Sequence, residues 1–340
     1  MDPWGEERQL RAAFEFKKCS APQQLHHECT GKIVNAHTVP RSSSLGAIAE
    51  NGHVYSFIPS FKNLNDANGV LKPQLVGTKR ASTFTGFCGY HDNLLFNKLE
   101  SSQFVLDAEA CFLLGYRAIA RELYAKEGAA SLNERRTFLD KGKPTNEQII
   151  LQQFIGGFNA GVDQGLKDIR VIKEKFDDVL IKRDFSSIRA YVVELVEPPK
   201  MMFSGAWFVD ENIFGEQVQD LDDYSRTPDI ISASSFAADG KGYLVFQWLD
   251  DASESCNHLI DNLRALDDKD LIEVVVKFIL MKLENVHLAP VWWKNMSEDD
   301  QQTVIVLMAS NMNGFMQRIS NVDEVSIASP GWKIKRRFEL

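Results

Sequence analysis

Side chains that bind soft metals are bunched at one end of this 340-residue chain. Residues 1–91 hold three of its five cysteines and five of its seven histidines, so 8 of these 12 side chains fall in about a quarter of the length. An odd cysteine count in a large chain argues against a disulfide framework and for metal or core roles. Zinc takes thiolate and imidazole ligands at the corners of a tetrahedron, so a structural site needs four such groups from two short segments. Cys19, His26, His27 and Cys29 form the first group, and Cys88 with His91 the second. The two-residue gap between Cys88 and His91 is that of a zinc knuckle. Thiolates bind zinc strongly, so the expected set is Cys19, Cys29, Cys88 and His91 around a structural Zn2+. His26, at the same gap from Cys29, is held in reserve.

Composition divides the chain further. Residues 1–100 carry 11 Lys+Arg against 9 Asp+Glu, whereas the remainder carries 27 against 38. The net charge of −9 is therefore a head of +2 on a body of −11. An acidic total argues against a surface coated for nucleic acid throughout, but leaves room for a local basic site. No apolar run approaches the roughly 20 residues of a membrane span. Met1–Leu10 is acidic and polar, unlike a secretory leader, and the expected location is cytoplasmic.

Hydrophobic period predicts an α+β chain. In the head, Gly31–Ala36 and His53–Ile58 read as strands, Ser42–Glu50 as a short helix, and Cys88–Glu100 as the start of a longer one. Phe104, Ala108, Phe112, Gly115, Ile119 and Leu123 step by three or four, as do apolar residues through Asn146–Lys182, which predicts an antiparallel helix pair. Gly157, Gly161 and Gly165 are spaced to admit a closely packed helix. From Ile188 onward the strand-like runs are Ala190–Val196, Phe203–Val209, Ile230–Phe236 and Gly242–Leu249. Helices are expected at Ser253–Leu266, Asp270–Leu283 and Glu298–Met312. The expected organisation is a zinc treble-clef-like module over 1–100, a helical pair over 101–186 and a mixed α+β domain over 187–340.

Three runs carry a family resemblance: Cys29-Thr-Gly-Lys-Ile-Val-Asn-Ala-His37, Ile48-Ala-Glu-Asn-Gly-His-Val-Tyr55, and Ala81-Ser-Thr-Phe-Thr-Gly-Phe-Cys88-Gly-Tyr-His91-Asp92. Glu284-Asn285 and Pro290-Val-Trp292-Trp293 add to it near the other end. Together they resemble a group of poorly characterised bacterial proteins whose Cys/His module is similar to the treble clef of HNH (His-Me finger) endonucleases. The resemblance implies that His37 is the general base and that Asp92 or Asn93 holds a catalytic ion, Mg2+ or another divalent metal. It further implies phosphate contacts from Arg41, Lys79 and Arg80, nucleic acid as partner, and a setting in bacterial (antiphage) defence. The residue before the base, acidic in HNH motifs, is Ala36 here, and Asn63 and Asn65 are the available middle asparagines. His37 could alternatively be a fifth zinc ligand or a hydrogen-bonded core residue.

The remaining features have plainer readings. Gly156–Gly161 lacks the ending of a phosphate-binding loop and does not follow a strand. Asp220, Asp222 and Asp223 suit a solvated turn, Cys256 with His258 a core thiol, and Trp292-Trp293 a packing site. Lys333–Arg337 reads as a solvated basic tail. No hydrolase elbow or dinucleotide fingerprint is present. Two functional classes therefore compete: an HNH-like nuclease, and a non-catalytic zinc-stabilised binding or sensor protein that docks a protein partner or a second copy of itself.

Overall fold

A computed structural model describes residues 16–58, 70–100, 104–251, 254–312 and 318–340. Asn63 and Asn65 lie outside these residues. Strands β1 (Ile33–His37) and β4 (Thr83–Cys88) pair antiparallel, with Ile33 opposite Cys88 and His37 opposite Thr83. Helix α1 (Gly89–Glu100) follows β4 directly. This two-stranded unit with its helix is the core of the expected finger.

The other eight strands form one antiparallel sheet among the described residues. They are β2 (His53–Ser56), β3 (Gln74–Gly77), β5 (Ile188–Leu195), β6 (Met201–Phe208), β7 (Ile230–Ala238), β8 (Lys241–Leu249), β9 (Val286–Leu288) and β10 (Ile334–Glu339). Their order is β10-β5-β8-β7-β6-β9-β2-β3, so two strands from the first hundred residues complete an edge built mainly by the last 150. Asp239 and Gly240, with φ of 51° and 73°, make the tight β7–β8 turn, where both central residues need positive φ.

Alternation along the strands explains why the sheet is covered on both faces. In β5, Ala190 and Val192 join one core while Tyr191, Val193 and Leu195 join the other. Against the first face lie α1, α2 (Ala108–Ala130) and α3 (Thr145–Lys182). Against the second lie α4 (Glu254–Ala265), α5 (Asp268–Lys282) and α6 (Glu298–Met312). Each fully buried large apolar side chain contributes about 1.5–3 kcal/mol, so this double covering supplies most of the stabilisation.

Helix α2 links the finger to the sheet. Asp107 caps it, accepting from the Ala110 amide at 2.8 Å, and Lys98 of α1 bridges Asp107 and Glu109 at 2.7 Å each. At Gly115 the helix lies against the sheet: a Cβ there would stand 3.0 Å from Gln247 and Ser232. α3 runs antiparallel to α2, as the periodicity predicts, with Arg183 at its end paired to Glu109 and Asp163 to Asn133.

Two expectations need correction. No helix among the described residues fills the glycine groove: space is open around Gly157 and Gly161, and only the Lys126 side chain approaches Gly165. The basic tail is not merely solvated, because Ile334–Glu339 is the edge strand β10 and its Lys335 and Arg336 bind the buried Glu194 of β5. A carboxylate without water needs cationic partners, and the tail supplies them.

A buried polar cluster joins finger and sheet. The Asn285 amide donates to Thr38 Oγ1 at 3.2 Å, Ser82 Oγ at 3.0 Å and the Ser204 carbonyl at 2.9 Å. Its own Oδ1 accepts from His287 Nε2 at 3.0 Å, and His287 Nδ1 lies 2.7 Å from Ser56 Oγ. Among the described residues no helix is long and apolar enough to cross a membrane.

Candidate functional site

Backbone pairing brings the four soft ligands together. Residues 18–20 run beside β4, with the Lys18 and Ser20 amides donating to the Thr85 and Gly86 carbonyls. The chain then makes a short 3-10 turn, Gln23–Glu28, and returns at Cys29 just before β1. Cys88 closes β4 and His91 sits in the first turn of α1. His91 Nδ1 lies 3.4 Å from Cys19 Sγ, 3.4 Å from Cys29 Sγ and 3.3 Å from Cys88 Sγ, and all four ligand atoms fall within 4.8 Å of one another. A tetrahedral zinc, with bonds of about 2.3 Å to sulfur and 2.0 Å to nitrogen, holds such atoms roughly 3.5 Å apart. The donor set and its spacing therefore fit zinc. His26 is turned away, with Nε2 at 2.9 Å from the Ala21 carbonyl.

The electrostatics of the cluster also call for a cation. Burial raises the Cys29 thiol to about 12, and the neighbouring Cys19 and Cys88 sulfurs add to the rise. Burial opposes ionisation of Cys88 as well, but hydrogen bonds from the backbone of His91 and Thr30 bring it down to about 7. Three crowded sulfurs cannot all carry charge unless something positive lies between them. Burial lowers the His91 pKa and so keeps its ring neutral, as a ligand must be.

A second cluster begins at the far end of β1. His37 Nε2 lies 3.0 Å from the Thr78 carbonyl. A carbonyl only accepts, so Nε2 carries the proton and Nδ1 keeps its lone pair. No described residue hydrogen-bonds Nδ1. Burial lowers the His37 pKa, the Thr78 carbonyl opposes this, and the positive charges of Arg117 and Arg41 reinforce it. Asp92, one residue past His91, is raised by burial and lowered by Arg117.

Arg117, which no motif pointed to, organises this second cluster. It lies on α2, is 1% exposed, and stacks on Phe96 with its guanidinium carbon 4.0 Å from the ring centre. Nη2 stands 3.7 Å from Asp92 Oδ1 and 3.6 Å from Glu100 Oε1. Its Nε and Nη1, and Asp92 Oδ1, are buried without a hydrogen-bond partner among the described residues. Buried donors of this kind are rare and costly unless a ligand or water meets them. The signal was present in the sequence as a single charge inside the apolar run Cys111–Ala120.

The other candidates divide. Asn93 is exposed and makes no hydrogen bond with the cluster among the described residues. Arg41 opens the turn after β1, and Lys79 with Arg80 follows Thr78; all three are exposed, and Arg41 is near enough to act on the His37 pKa. Cys256 is a buried core thiol, as expected. No family model matches this chain, and comparisons with curated proteins and with solved structures give no match either.

Proposed function

We propose that this chain is a metal-dependent HNH-like nuclease in which a structural zinc finger holds a general base, His37, over a nucleic-acid phosphodiester. The observation that carries the reading is the state of His37. Its lowered pKa favours the neutral ring, its Nε2 is fixed on the Thr78 carbonyl, its Nδ1 is free of described partners, and the exposed Arg41 lies near it, with the exposed Lys79 and Arg80 next in the chain after Thr78. In the proposed step Nδ1 takes a proton from water and the water oxygen forms a bond to phosphorus. The bond to the leaving oxygen breaks with its electron pair, and that oxygen is protonated by solvent. Asp92, on the first turn of α1 beside His37 and Arg117, would hold a divalent ion such as Mg2+, whose charge offsets that developing on the phosphate. Arg41, Lys79 and Arg80 would hold the flanking phosphates.

The test is cleavage of DNA and RNA by the zinc-loaded protein with Mg2+, Mn2+ or Ni2+, beside His37→Ala. Activity is expected to vanish in the variant while zinc content stays intact. Cleavage that survives loss of His37 removes it as the base. One observation favours the non-catalytic alternative: the Arg117 guanidinium already stands 3.7 Å from Asp92, where a second cation would go. Absence of cleavage with every metal would leave a zinc-stabilised binding protein.

A further inference from the structure

A cavity of about 440 Å3 opens between α2, β6 and the segment Lys282–Asn285. It exists because the facing surfaces are small: Ala125 and Ala129 on α2 look across at Ser204, Gly205 and Ala206 on β6. Its volume falls within the range of small-ligand sites. Four cations line it, and three are already matched. Lys282 and Arg318 bind Asp210 at 3.2 and 2.8 Å, and Lys126 binds Glu122 at 3.3 Å. Arg121 is the exception, making no hydrogen bond or ion pair among the described residues. Two further groups line the cavity unused. Trp207 is 9% exposed and its indole Nε1 is buried without a partner, while the Glu284 carboxylate makes no hydrogen bond among the described residues and has Arg121 and Lys126 near enough to offset in part the rise that burial gives its pKa.

The cavity shares a wall with the His37 cluster. Asn285 lines it and donates to Thr38, the residue after His37. Arg121 follows Arg117 by one turn of α2, about 6 Å along the helix.

We infer that this cavity receives one unpaired nucleotide of a single strand, with Arg121 on its phosphate and Glu284 accepting from the donor groups of its base or sugar. The inference rests on the nuclease reading for the identity of the ligand, but it concerns binding, which is measured separately from cleavage. A duplex must unpair and unstack a base to place it in a recess, at a cost of about a few kcal/mol, so the preferred substrate is single-stranded, a flap or a loop.

The test measures binding of a fluorescent single-stranded oligonucleotide and of the same sequence as a duplex, without added divalent ion. Wild-type protein is expected to prefer the single strand. Arg121→Gln should weaken that binding about tenfold, in line with loss of a charge-assisted hydrogen bond, and Ala125→Leu, which fills the recess, should abolish the preference. Lys141→Gln, a neutralisation on the loop before α3, should change neither. Zinc content and circular dichroism confirm that each variant is folded, and Arg121→Gln replaces a partly buried side chain that makes no hydrogen bond or ion pair among the described residues. Equal binding of both forms, no binding at all, or insensitivity to Arg121→Gln each overturns the inference. Cleavage that depends on His37 yet ignores Ala125→Leu would overturn it while leaving the nuclease intact, whereas single-strand binding lost in Arg121→Gln without any cleavage would support it and remove the nuclease.

Discussion

Replacing Cys88 by serine tests the finger at its most buried corner. The Cys88 sulfur is fully enclosed, lies 3.3 Å from His91 Nδ1, and belongs to the strand end that positions α1. Structural zinc contributes about 10–16 kcal/mol of apparent binding free energy in small fingers. Shared over four donors, one thiolate is worth roughly 3–4 kcal/mol, which lowers zinc affinity by about 10²–10³. After dialysis against a mild chelator, elemental analysis should find about one zinc per wild-type chain and less than about 0.2 in Cys88→Ser. Cys111→Ser and Cys256→Ser are matched controls, since both thiols are buried outside the cluster, and both should keep the metal. The loss should also be local. Phe87 and Phe96 pack with Tyr116 of α2 in a core shared with the sheet, so the chain should stay folded. Amide exchange should accelerate in residues 18–37 and 83–100 and remain slow in β5–β8. Zinc below about half an equivalent in the wild-type protein, or equal zinc in Cys88→Ser, would refute the assignment.

Buried charge makes three further outcomes measurable. His287 is held at about 3, first by burial and then by the positive charge of Arg121, whereas an unfolded histidine takes up its proton near 6.5. The unfolded chain therefore binds the proton first, and stability falls as pH drops from 6.5 toward 3, by about 1.4 kcal/mol per pH unit for this group. Urea titrations at pH 6.5 and 4.5 should show a loss about 2–3 kcal/mol smaller in His287→Gln than in wild type, and equal losses would remove His287 as the cause. Glu194 is held at about 2: burial works to raise it, but Arg336 and Lys335 of β10 more than offset this. Its contribution is present above pH 4.5 and is lost as pH falls toward 2. Deleting residues 334–340 should cost about 3–5 kcal/mol by leaving that carboxylate with Lys241, 3.5 Å away, in place of three cations, and adding Glu194→Gln should restore part of the loss. No restoration would mean that the strand matters only through its backbone pairing. For cleavage, burial lowers the His37 pKa, so the base stays unprotonated below 6.5 and the acid limb of kcat/KM should lie under that value. A limb above about 7 would point to another group.

The Cys88–His91 knuckle, the α2 face and the four strands after Ile188 were legible because local rules are written residue by residue. The spacing of Cys88 and His91 fixes both on one strand-to-helix junction, where a single turn brings their side chains to one point. The 3.6-residue period of Phe112, Ile119 and Leu123 fixed a buried helix face without knowledge of its neighbours. The runs from Ile188 to Leu249 likewise gave four strands, because alternation and turn residues are local. What the tertiary structure alone decided were the meetings between distant segments. Cys19 prevailed over His26 because residues 18–20 pair with β4 and turn the Cys19 sulfur inward, a long-range register that spacing does not encode. Val286–Leu288 became a strand only by pairing with β2 and β6, since three residues carry too little period to be read. Arg117 shows the difference most clearly. Its sequence context says only that one charge is buried in an apolar helix, and a buried charge is unstable until its surroundings are specified. Asp92 and Glu100 come from α1, Phe96 from the same helix and His37 from β1, so the fold alone makes that arginine part of a site.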